Sequence, residues 1–424
     1  MSELAYLTLC EAAHLLQNRK LSPVEYAEGL FRRIRDLDPR LNAFIRLTEE
    51  EAMASARLAE AEITAGRWRG PMHGVPYGLK DIIDAAGYPS TAHSRILLDN
   101  VAKADATVTR KLRAAGGVLM GKLATHEFAF GGPSFDLPFP PARNPWNPDH
   151  HPGGSSSGSG AALAAGFVPV ALGTDTGGSV RNPASMCGIV GMKATYGRFS
   201  RAGVIPLSFS LDHVGPMTRT VEDNALLLNI IAGHDPADPA SARIPALDFA
   251  KDLKRGVKGL KSGIVRHFHV RDLPAEADMS QSIEDACKLL TELGAEVREI
   301  TLPPLGDYSA CNRTILVAEA YAIHERWLQE RPEDYGALTR ERLLAGAFLR
   351  AVDYVQALRT RVMLTRETND AMRAVDALIC ASSMQVACRI DDAAAVAATY
   401  ARQARTPFNL TGLPAMSVPT GFSK

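Results

Sequence analysis

The chain has 424 residues, of which 46% are hydrophobic and 22% are charged, with 47 basic and 47 acidic side chains. These values are ordinary for a globular protein, and the length allows one large domain or two smaller ones with a deep, dry core. The formal net charge of zero gives no electrostatic reason to expect nucleic acid or a membrane surface as a partner.

Cysteine usage and the apolar runs bear on the compartment. The six cysteines are scattered and form no C-x-x-C pair, which favours reduced thiols over a disulfide framework. The first twenty or so residues lack the basic segment and the apolar segment of a secretion signal. No apolar run approaches the length that crosses a bilayer. We therefore expect a cytoplasmic protein.

The N-terminal part of the chain, residues 1–65, is predicted to be helical. Apolar residues such as Leu30 and Ile34 recur at helical spacing. Ser22 and Pro23 are typical of a helix start, with serine as the cap and proline at the first position. Residues 49–65 are rich in alanine and glutamate and predict a third helix.

From about Gly70 onward, helical stripes alternate with short apolar strands. Helix faces are predicted at Val108–Ala115, Ala161–Ala165 and Ile283–Leu290. Strands are predicted at Val75–Leu79, Val118–Met120, Val168–Leu172, Leu260–Val265, Glu296–Ile300, Val375–Cys380 and Ala415–Val418. This alternation predicts an α/β fold with a central sheet covered on both faces. Residues 305–375 are predicted to be a helical elaboration on that sheet within a single domain that spans residues 1–424.

Lys80 ends the first of three segments that stand out for their chemistry, Gly74–Asp81. A lone lysine is usually solvated, but one that ends an apolar strand can be buried. Burial lowers the pKa of a lysine and makes its amine usable as a base.

The other two segments are rich in glycine and serine. Gly153–Gly166 leads directly into a buried alanine helix, which a flexible linker would not do. In Gly173–Arg181, Gly177 and Gly178 can adopt a turn that aims consecutive N–H groups at one point, as an oxyanion requires. Ser179 would lie at the rim of that turn. An isolated T-G-G-S is more often a simple turn, so this assignment depends on the three segments together.

Taken together, these segments resemble the amidase signature family of serine hydrolases. The resemblance covers nearly the whole chain and includes Gly74–Asp81, Arg143–Pro148, Gly153–Gly160, Asp175–Arg181, Leu211–Thr220 and Asn409–Ala415. It implies an α/β/α sandwich around a central mixed β-sheet. Members of the family normally continue with a strand pair and a closing helix beyond the position of Lys424, so the end of the family fold is expected to be missing.

The resemblance also implies roles for individual residues. Lys80 matches the catalytic lysine, Ser155 the bridging serine that follows a cis peptide bond, and Ser179 the nucleophile. The backbone N–H groups of Thr176, Gly177, Gly178 and Ser179 match those that form the oxyanion hole in the family. Phe130, Gly131 and Gly132 match the loop that borders the acyl pocket in the family.

The implied chemistry is hydrolysis of a carbon–nitrogen bond through a seryl acyl-enzyme. A serine hydroxyl needs a base, and Ser155 can carry the proton from Ser179 to a neutral Lys80. Candidate substrates are small aryl or alkyl amides, with carbamates, ureas and esters beside them. No metal or organic cofactor is implied, and we expect a monomer or homodimer without nucleic-acid or membrane partners. The alternative is the amidase subunit of a tRNA-dependent amidotransferase, which works with partner subunits.

Two short patterns offer rival assignments. Gly154-x-Ser156-x-Gly158 fits the nucleophile elbow of α/β-hydrolases, which would make Ser156 the nucleophile, but no strand precedes it. Gly116 to Lys122 is close to a phosphate-binding loop, but Leu123 replaces the serine or threonine that would hold magnesium. Both matches are weak beside the paired glycine–serine segments.

Overall fold

A computed structural model describes residues 2–423. Its strands are β1 Phe44–Leu47, β2 Pro76–Lys80, β3 Val118–Leu123, β4 Val170–Asp175, β5 Val190–Lys193, β6 His213–Thr218, β7 Lys261–Ile264, β8 Glu296–Glu299, β9 Ala377–Ile379 and β10 Ala415–Ser417. Seven of them form one sheet in the order β1-β3-β2-β4-β6-β5-β10, and the other three form a small sheet in the order β8-β7-β9.

The α-helices surround these sheets. They are α1 Ser2–Ala5, α2 Leu9–Gln17, α3 Pro23–Leu41, α4 Glu49–Thr64, α5 Thr107–Ala114, α6 Ser157–Ala164, α7 Arg181–Cys187, α8 Val221–Ile231, α9 Ala277–Glu292, α10 Leu305–Glu330, α11 Ala337–Leu344, α12 Ala351–Met372, α13 Ala393–Ala401 and α14 Thr406–Thr411. Among residues 2–423, no helix combines the length and the apolar character needed to cross a membrane.

The large sheet is mixed, as predicted. Strands β3, β2 and β4 run parallel to one another, whereas β1, β6, β5 and β10 are joined by antiparallel ladders. Every residue of β2, β3, β4 and β6 is buried. Parallel strands are stable when helices cover both faces, so the α/β/α sandwich expected from the sequence is confirmed.

Three strands were not predicted from the sequence. The strand β1 lies inside the region expected to be entirely helical, and it pairs with β3 from Phe44 onward. The strands β5 and β6 contain Gly191 and Gly215-Pro216, residues that are depleted in strands. The predicted strands at 260–265, 296–300 and 375–380 are present but form the separate parallel sheet rather than extending the central one.

The sheet topology brings chemically active segments to one edge. The carboxyl ends of the adjacent parallel strands β3, β2 and β4 point the same way, and β2 pairs with β4 at Leu79 and Leu172. Lys80, the last residue of β2, therefore lies beside the end of β4. Ligand and catalytic sites of open α/β sheets are found at this edge.

A buried ion pair fixes the turn that follows β2. Asp81 and Lys122 are both fully buried, and Lys122 Nζ lies 3.2 Å from Asp81 Oδ1. Asp81 Oδ2 also accepts the backbone N–H of Thr91 at 2.9 Å. The carboxylate next to Lys80 in sequence is thereby occupied by other donors.

Breaking this pair is expected to destabilise the fold strongly. Lys122→Met leaves the Asp81 carboxyl buried without its cation, which typically costs about 3–5 kcal/mol. Urea denaturation followed by circular dichroism measures the loss. The matched control is Lys288→Met, because Lys288 is 77% exposed and 3.9 Å from Glu292, and it should cost less than about 1 kcal/mol. Equal midpoints for wild type and Lys122→Met would contradict the assigned role.

Candidate active site

The amine of Lys80 is buried and surrounded by hydroxyls. Its Nζ lies 2.7 Å from Ser155 Oγ and 2.8 Å from Thr174 Oγ1, and the residue is fully buried. Burial lowers the pKa of Lys80 to about 7, although the negative charges of Asp175 and Asp212 act to raise it. A substantial fraction of this amine is therefore neutral near pH 7.

Backbone contacts fix Ser155 in front of Lys80. The Gly154–Ser155 peptide bond is cis, and the Ser155 carbonyl accepts the backbone N–H of His126 at 3.0 Å. The Gly154 N–H donates to Asn182 Oδ1 at 2.8 Å. A Cβ at Gly154 would lie 1.9 Å from Cε1 of the His126 ring, so glycine is needed for this close approach.

Ser179 lies in the loop between β4 and α7, next to the Ser155 segment. The N–H of Ser156 donates to the Ser179 carbonyl at 3.1 Å, which joins the two glycine–serine segments. Ser179 is half-buried, whereas Ser155 is only 2% exposed. Within residues 2–423, no hydrogen bond joins the Ser155 and Ser179 hydroxyls. The three predicted residues thus share one site, with the nucleophile candidate on its accessible side.

The oxyanion prediction requires one correction. The N–H of Gly178 donates to Asp175 Oδ1 at 2.8 Å and is therefore already used. In the described part of the chain, the N–H groups of Thr176, Gly177 and Ser179 have no hydrogen-bond partner. Gly178 adopts a φ of +125°, a conformation that favours glycine and turns the loop. Three of the four predicted donors are thus free.

Asp175 shapes this loop from the end of β4. Its carboxylate accepts the N–H of Val180 at 3.1 Å, the amide of Asn409 at 2.8 Å and the guanidinium of Arg181 at 3.0 Å. Burial alone would raise the pKa of Asp175, but Arg181 and these hydrogen bonds hold it well below its usual range. The carboxylate is therefore ionised, and its hydrogen bonds join the loop to α7 and α14.

Ser156, the alternative nucleophile, and Lys122, the lysine of the possible phosphate-binding loop, both have structural roles. Ser156 Oγ donates to the carbonyl of Thr174 and accepts the N–H of the same residue, both at 3.2 Å, and Ser156 is fully buried. These hydrogen bonds hold the 155–157 segment on β4 and occupy the Ser156 hydroxyl. Lys122 lies in β3 and pairs with Asp81, so its amine is not free to bind phosphate.

A cavity of about 240 Å³ opens beside Thr174 and Thr176. Its apolar wall includes Ile82, Val204, Ile205, Leu207, Phe209 and Val214. Two of its charged side chains pair with each other, because Arg201 Nη2 lies 3.2 Å from Asp238 Oδ1. A third, Asp212, accepts the Thr176 hydroxyl at 2.6 Å and the N–H of Leu207 at 2.8 Å. The cavity therefore offers apolar surface and little free charge.

The predicted pocket loop, Phe130 to Gly132, packs beneath α11. The carbonyls of Phe130 and Gly131 accept from Arg342 at 2.9 and 3.1 Å. A Cβ at Gly131 would lie 2.6 Å from Thr339 Oγ1, so the loop has no room for a side chain there. The neighbouring Ala129, rather than these three residues, lines the cavity beside Thr174.

Several residues near the site were not predicted. Thr174 is the second partner of the Lys80 amine, and its place just before the D-T-G-G-S segment was the only signal for it in the sequence. His126 and Tyr400 are held together, with Tyr400 Oη 3.3 Å from His126 Nδ1. Nothing in the linear sequence relates these two residues, because they are joined only by folding.

The chain matches known proteins over nearly its whole length. Residues 25–424 match the amidase family. An amidase of Pseudomonas putida is 42% identical, and the match covers 100% of this chain and 91% of that protein. The crystal structure of a bacterial aryl acylamidase of the amidase signature family superposes with a TM-score of 0.89 at 28% identity, over 99% of this chain and 90% of that one. The chain belongs to the amidase signature family.

The family includes proteins of more than one role. A glutamyl-tRNA(Gln) amidotransferase subunit from Trichlorobacter lovleyi is 40% identical, and the match covers 96% of this chain and 89% of that protein. Amidase signature proteins are amide hydrolases, so this chain is an enzyme that acts on carbon–nitrogen bonds other than peptide bonds. The family relationship predicted from the motifs is confirmed, and it leaves the substrate open.

Proposed function

We propose that the protein hydrolyses small amides through a seryl acyl-enzyme, with Ser179 as nucleophile, Ser155 as proton bridge and Lys80 as base. The main support is the environment of the Lys80 amine, which is buried and lies 2.7 Å from Ser155 Oγ. An amine held by hydroxyls is more easily neutral than one held by carboxylates. Neutrality is what a base requires before it can accept a proton.

The proposed reaction requires the Ser179 hydroxyl to form a hydrogen bond with Ser155 Oγ once substrate is bound. As Ser179 Oγ attacks the substrate carbonyl carbon, its proton passes to Ser155 Oγ while the Ser155 proton passes to Lys80 Nζ. The N–H groups of Thr176, Gly177 and Ser179 stabilise the negative oxygen. The proton then returns through Ser155 to the leaving nitrogen, and the C–N bond breaks. Water, deprotonated by the same relay, attacks the acyl-enzyme and releases the carboxylic acid and Ser179.

The cavity favours substrates with an uncharged, apolar substituent. The wall around Val204, Ile205 and Leu207 can bury an aryl or alkyl group. Arg201 and Asp238 are occupied by each other at 3.2 Å, so an ionised substrate group would have to break that pair. We therefore propose aryl and alkyl amides as substrates, with carbamates, ureas and esters as side activities.

A second candidate function is that of the amidase component of a tRNA-dependent amidotransferase. It is supported by the 40% identity to the glutamyl-tRNA(Gln) amidotransferase subunit from Trichlorobacter lovleyi. Such a component would act on a charged amide donor together with partner chains. Hydrolysis of simple aryl amides by the purified chain alone supports the first candidate, whereas activity that appears only with a partner supports the second.

Replacement of the nucleophile tests the catalytic assignment. Ser179→Ala is expected to lower kcat by about 10⁴-fold or more without changing the circular dichroism spectrum, since nothing else can form the acyl-enzyme. Lys80→Ala should be similarly inactive, and Ser155→Ala somewhat less impaired. A fluorophosphonate should label the peptide that contains Ser179. Labelling at Ser156, or turnover by Ser179→Ala near the wild-type rate, would refute the assignment.

The pH profile tests the base. Because burial lowers the pKa of Lys80 to about 7, and because the neutral form is active, kcat/KM should rise through pH 7 and level off above it. Below that inflection the rate should fall about tenfold per pH unit as Lys80 becomes protonated. The measurement uses an amide without ionisable groups. The control is the pH profile of the residual kcat/KM of Lys80→Met. If the inflection near pH 7 is unchanged in that variant, Lys80 is not the group that titrates there.

The cavity predicts a preference among substrates. Acetanilide should be hydrolysed with a kcat/KM at least about 100-fold above that of glutamine. Phe209 is 57% exposed at the cavity rim, so Phe209→Ala should lower kcat/KM for acetanilide about 3- to 10-fold and for acetamide less than about twofold. Phe348→Ala is the matched control, because Phe348 is 85% exposed and does not line the cavity. A preference for glutamine would contradict the proposed substrate class.

A further inference from the structure

Arg405 is a buried arginine in the segment before α14. It is only 2% exposed, and its Nη1 donates to the Ser382 carbonyl at 2.7 Å and to Ser383 Oγ at 2.6 Å. Its Nε is buried and has no hydrogen-bond partner within residues 2–423. The fold thus holds a guanidinium in the interior with part of its donor capacity unused.

The arginine side chain lies directly against the loop that carries the proposed oxyanion donors. A Cβ at Gly178 would lie 2.4 Å from Arg405 Nε and 2.7 Å from Arg405 Cδ. The Arg405 side chain, up to its Nε, therefore fills the space that a side chain of Gly178 would occupy, one residue before Ser179. Any side chain at position 178 would push the Arg405 side chain away. Glycine is therefore needed here both for the turn and for the close approach of Arg405.

In the described part of the chain, Arg405 forms no ion pair with a carboxylate. Asp175 acts on Arg405 only at longer range, because it pairs with Arg181 at 3.0 Å, and no acidic oxygen of the described chain lies within 4.0 Å of the Arg405 guanidinium. Burial lowers the pKa of Arg405 to about 9, which leaves it charged at neutral pH. A buried cation without an ion-pair partner costs folding free energy, so its presence beside the proposed oxyanion loop calls for a functional account.

We propose that Arg405 is a positioning residue that keeps an uncompensated positive charge behind the oxyanion loop and stabilises the negative oxygen of the tetrahedral intermediate through it. This role rests on the proposed function, because it needs an acyl-transfer reaction at Ser179. Negative charge develops on the substrate only during the reaction, so a preorganised cation in a dry environment lowers the barrier without tightening substrate binding. A merely structural arginine would instead anchor the 382–383 segment.

Three variants separate charge from anchoring. Arg405→Met removes the charge and should lower kcat for acetanilide about 10- to 100-fold while KM changes less than about threefold; the loss is smaller than for a direct oxyanion donor. Arg405→Lys keeps the charge and should recover at least about tenfold over the methionine variant. Ser383→Ala removes an anchoring hydrogen bond but keeps the charge, and its kcat should stay within about threefold of wild type.

A transition-state analogue gives a second readout. Phenylboronic acid forms an anionic tetrahedral adduct with a catalytic serine, so its inhibition constant should weaken in Arg405→Met in parallel with kcat. Thermal melts establish that each variant is folded, and Arg405→Gln replaces the methionine variant if the latter does not fold. Equal losses in Arg405→Met and Ser383→Ala, or no recovery with lysine, would overturn the proposal. If Ser179→Ala is inactive while Arg405→Met retains full kcat, only the role of Arg405 fails.

Discussion

The proposed mechanism depends on one constraint: the Lys80 amine has to be neutral inside a protein that also contains ionised carboxylates nearby. Burial disfavours the charged amine, but a free carboxylate within hydrogen-bond distance would reverse that effect. The structure meets this requirement by committing the neighbouring acids elsewhere. Asp81 pairs with Lys122, and Asp175 pairs with Arg181. Lys80 is left with the hydroxyls of Ser155 and Thr174, which tolerate a neutral partner.

The glycine–serine segments follow from the same crowding. Near the ends of β2 and β4, helix α6 packs closely against α7 and against the segment that follows β3. A Cβ at Gly158 would lie 2.4 Å from the backbone nitrogen of Ala124, and one at Gly160 would lie 2.8 Å from Cβ of Pro183. Small side chains are needed for α6 to approach its neighbours this closely. The composition that first resembled a linker is thus a packing requirement of the site.

The sequence was informative where the residues of a feature are close together in the chain. Lys80, Ser155 and Ser179 each lie in a short segment with a distinct composition, and all three are brought to one edge of the sheet. Features made by contacts between distant segments could not be predicted. Arg405 meets Gly178 only through the fold, because the two residues are far apart in the chain. Strand β6 was missed because Gly215 and Pro216 disrupt the apolar pattern that identifies a strand.

The oxyanion loop shows why a correct motif can still misassign an atom. Four consecutive N–H groups follow from a glycine turn, but the aspartate that opens the turn accepts one of them, that of Gly178, at 2.8 Å. The same carboxylate forms its ion pair with Arg181, and it acts on Arg405 only at longer range. One acid therefore sets both the number of free donors and the net positive charge behind them. The number of free N–H donors and the nearby positive charge thus both depend on Asp175, and assigning a role to each residue of the motif separately does not show this dependence.

Substrate choice depends on parts of the molecule outside this core. In the proposed mechanism, Lys80, Ser155 and Ser179 act only on the carbonyl group and the atoms beside it, so they suit a charged amide donor as well as an apolar one. What distinguishes the two is the wall of the cavity, where Arg201 and Asp238 satisfy each other and the remaining surface is largely apolar. A ligand with free charges would have to replace that internal pair with contacts of its own at a desolvation cost. An uncharged aryl or alkyl group gains burial without disturbing it. We therefore propose that the 201–214 and 237–239 segments, which lie apart from the proposed nucleophile Ser179, decide between a free-standing amidase and an amidotransferase component.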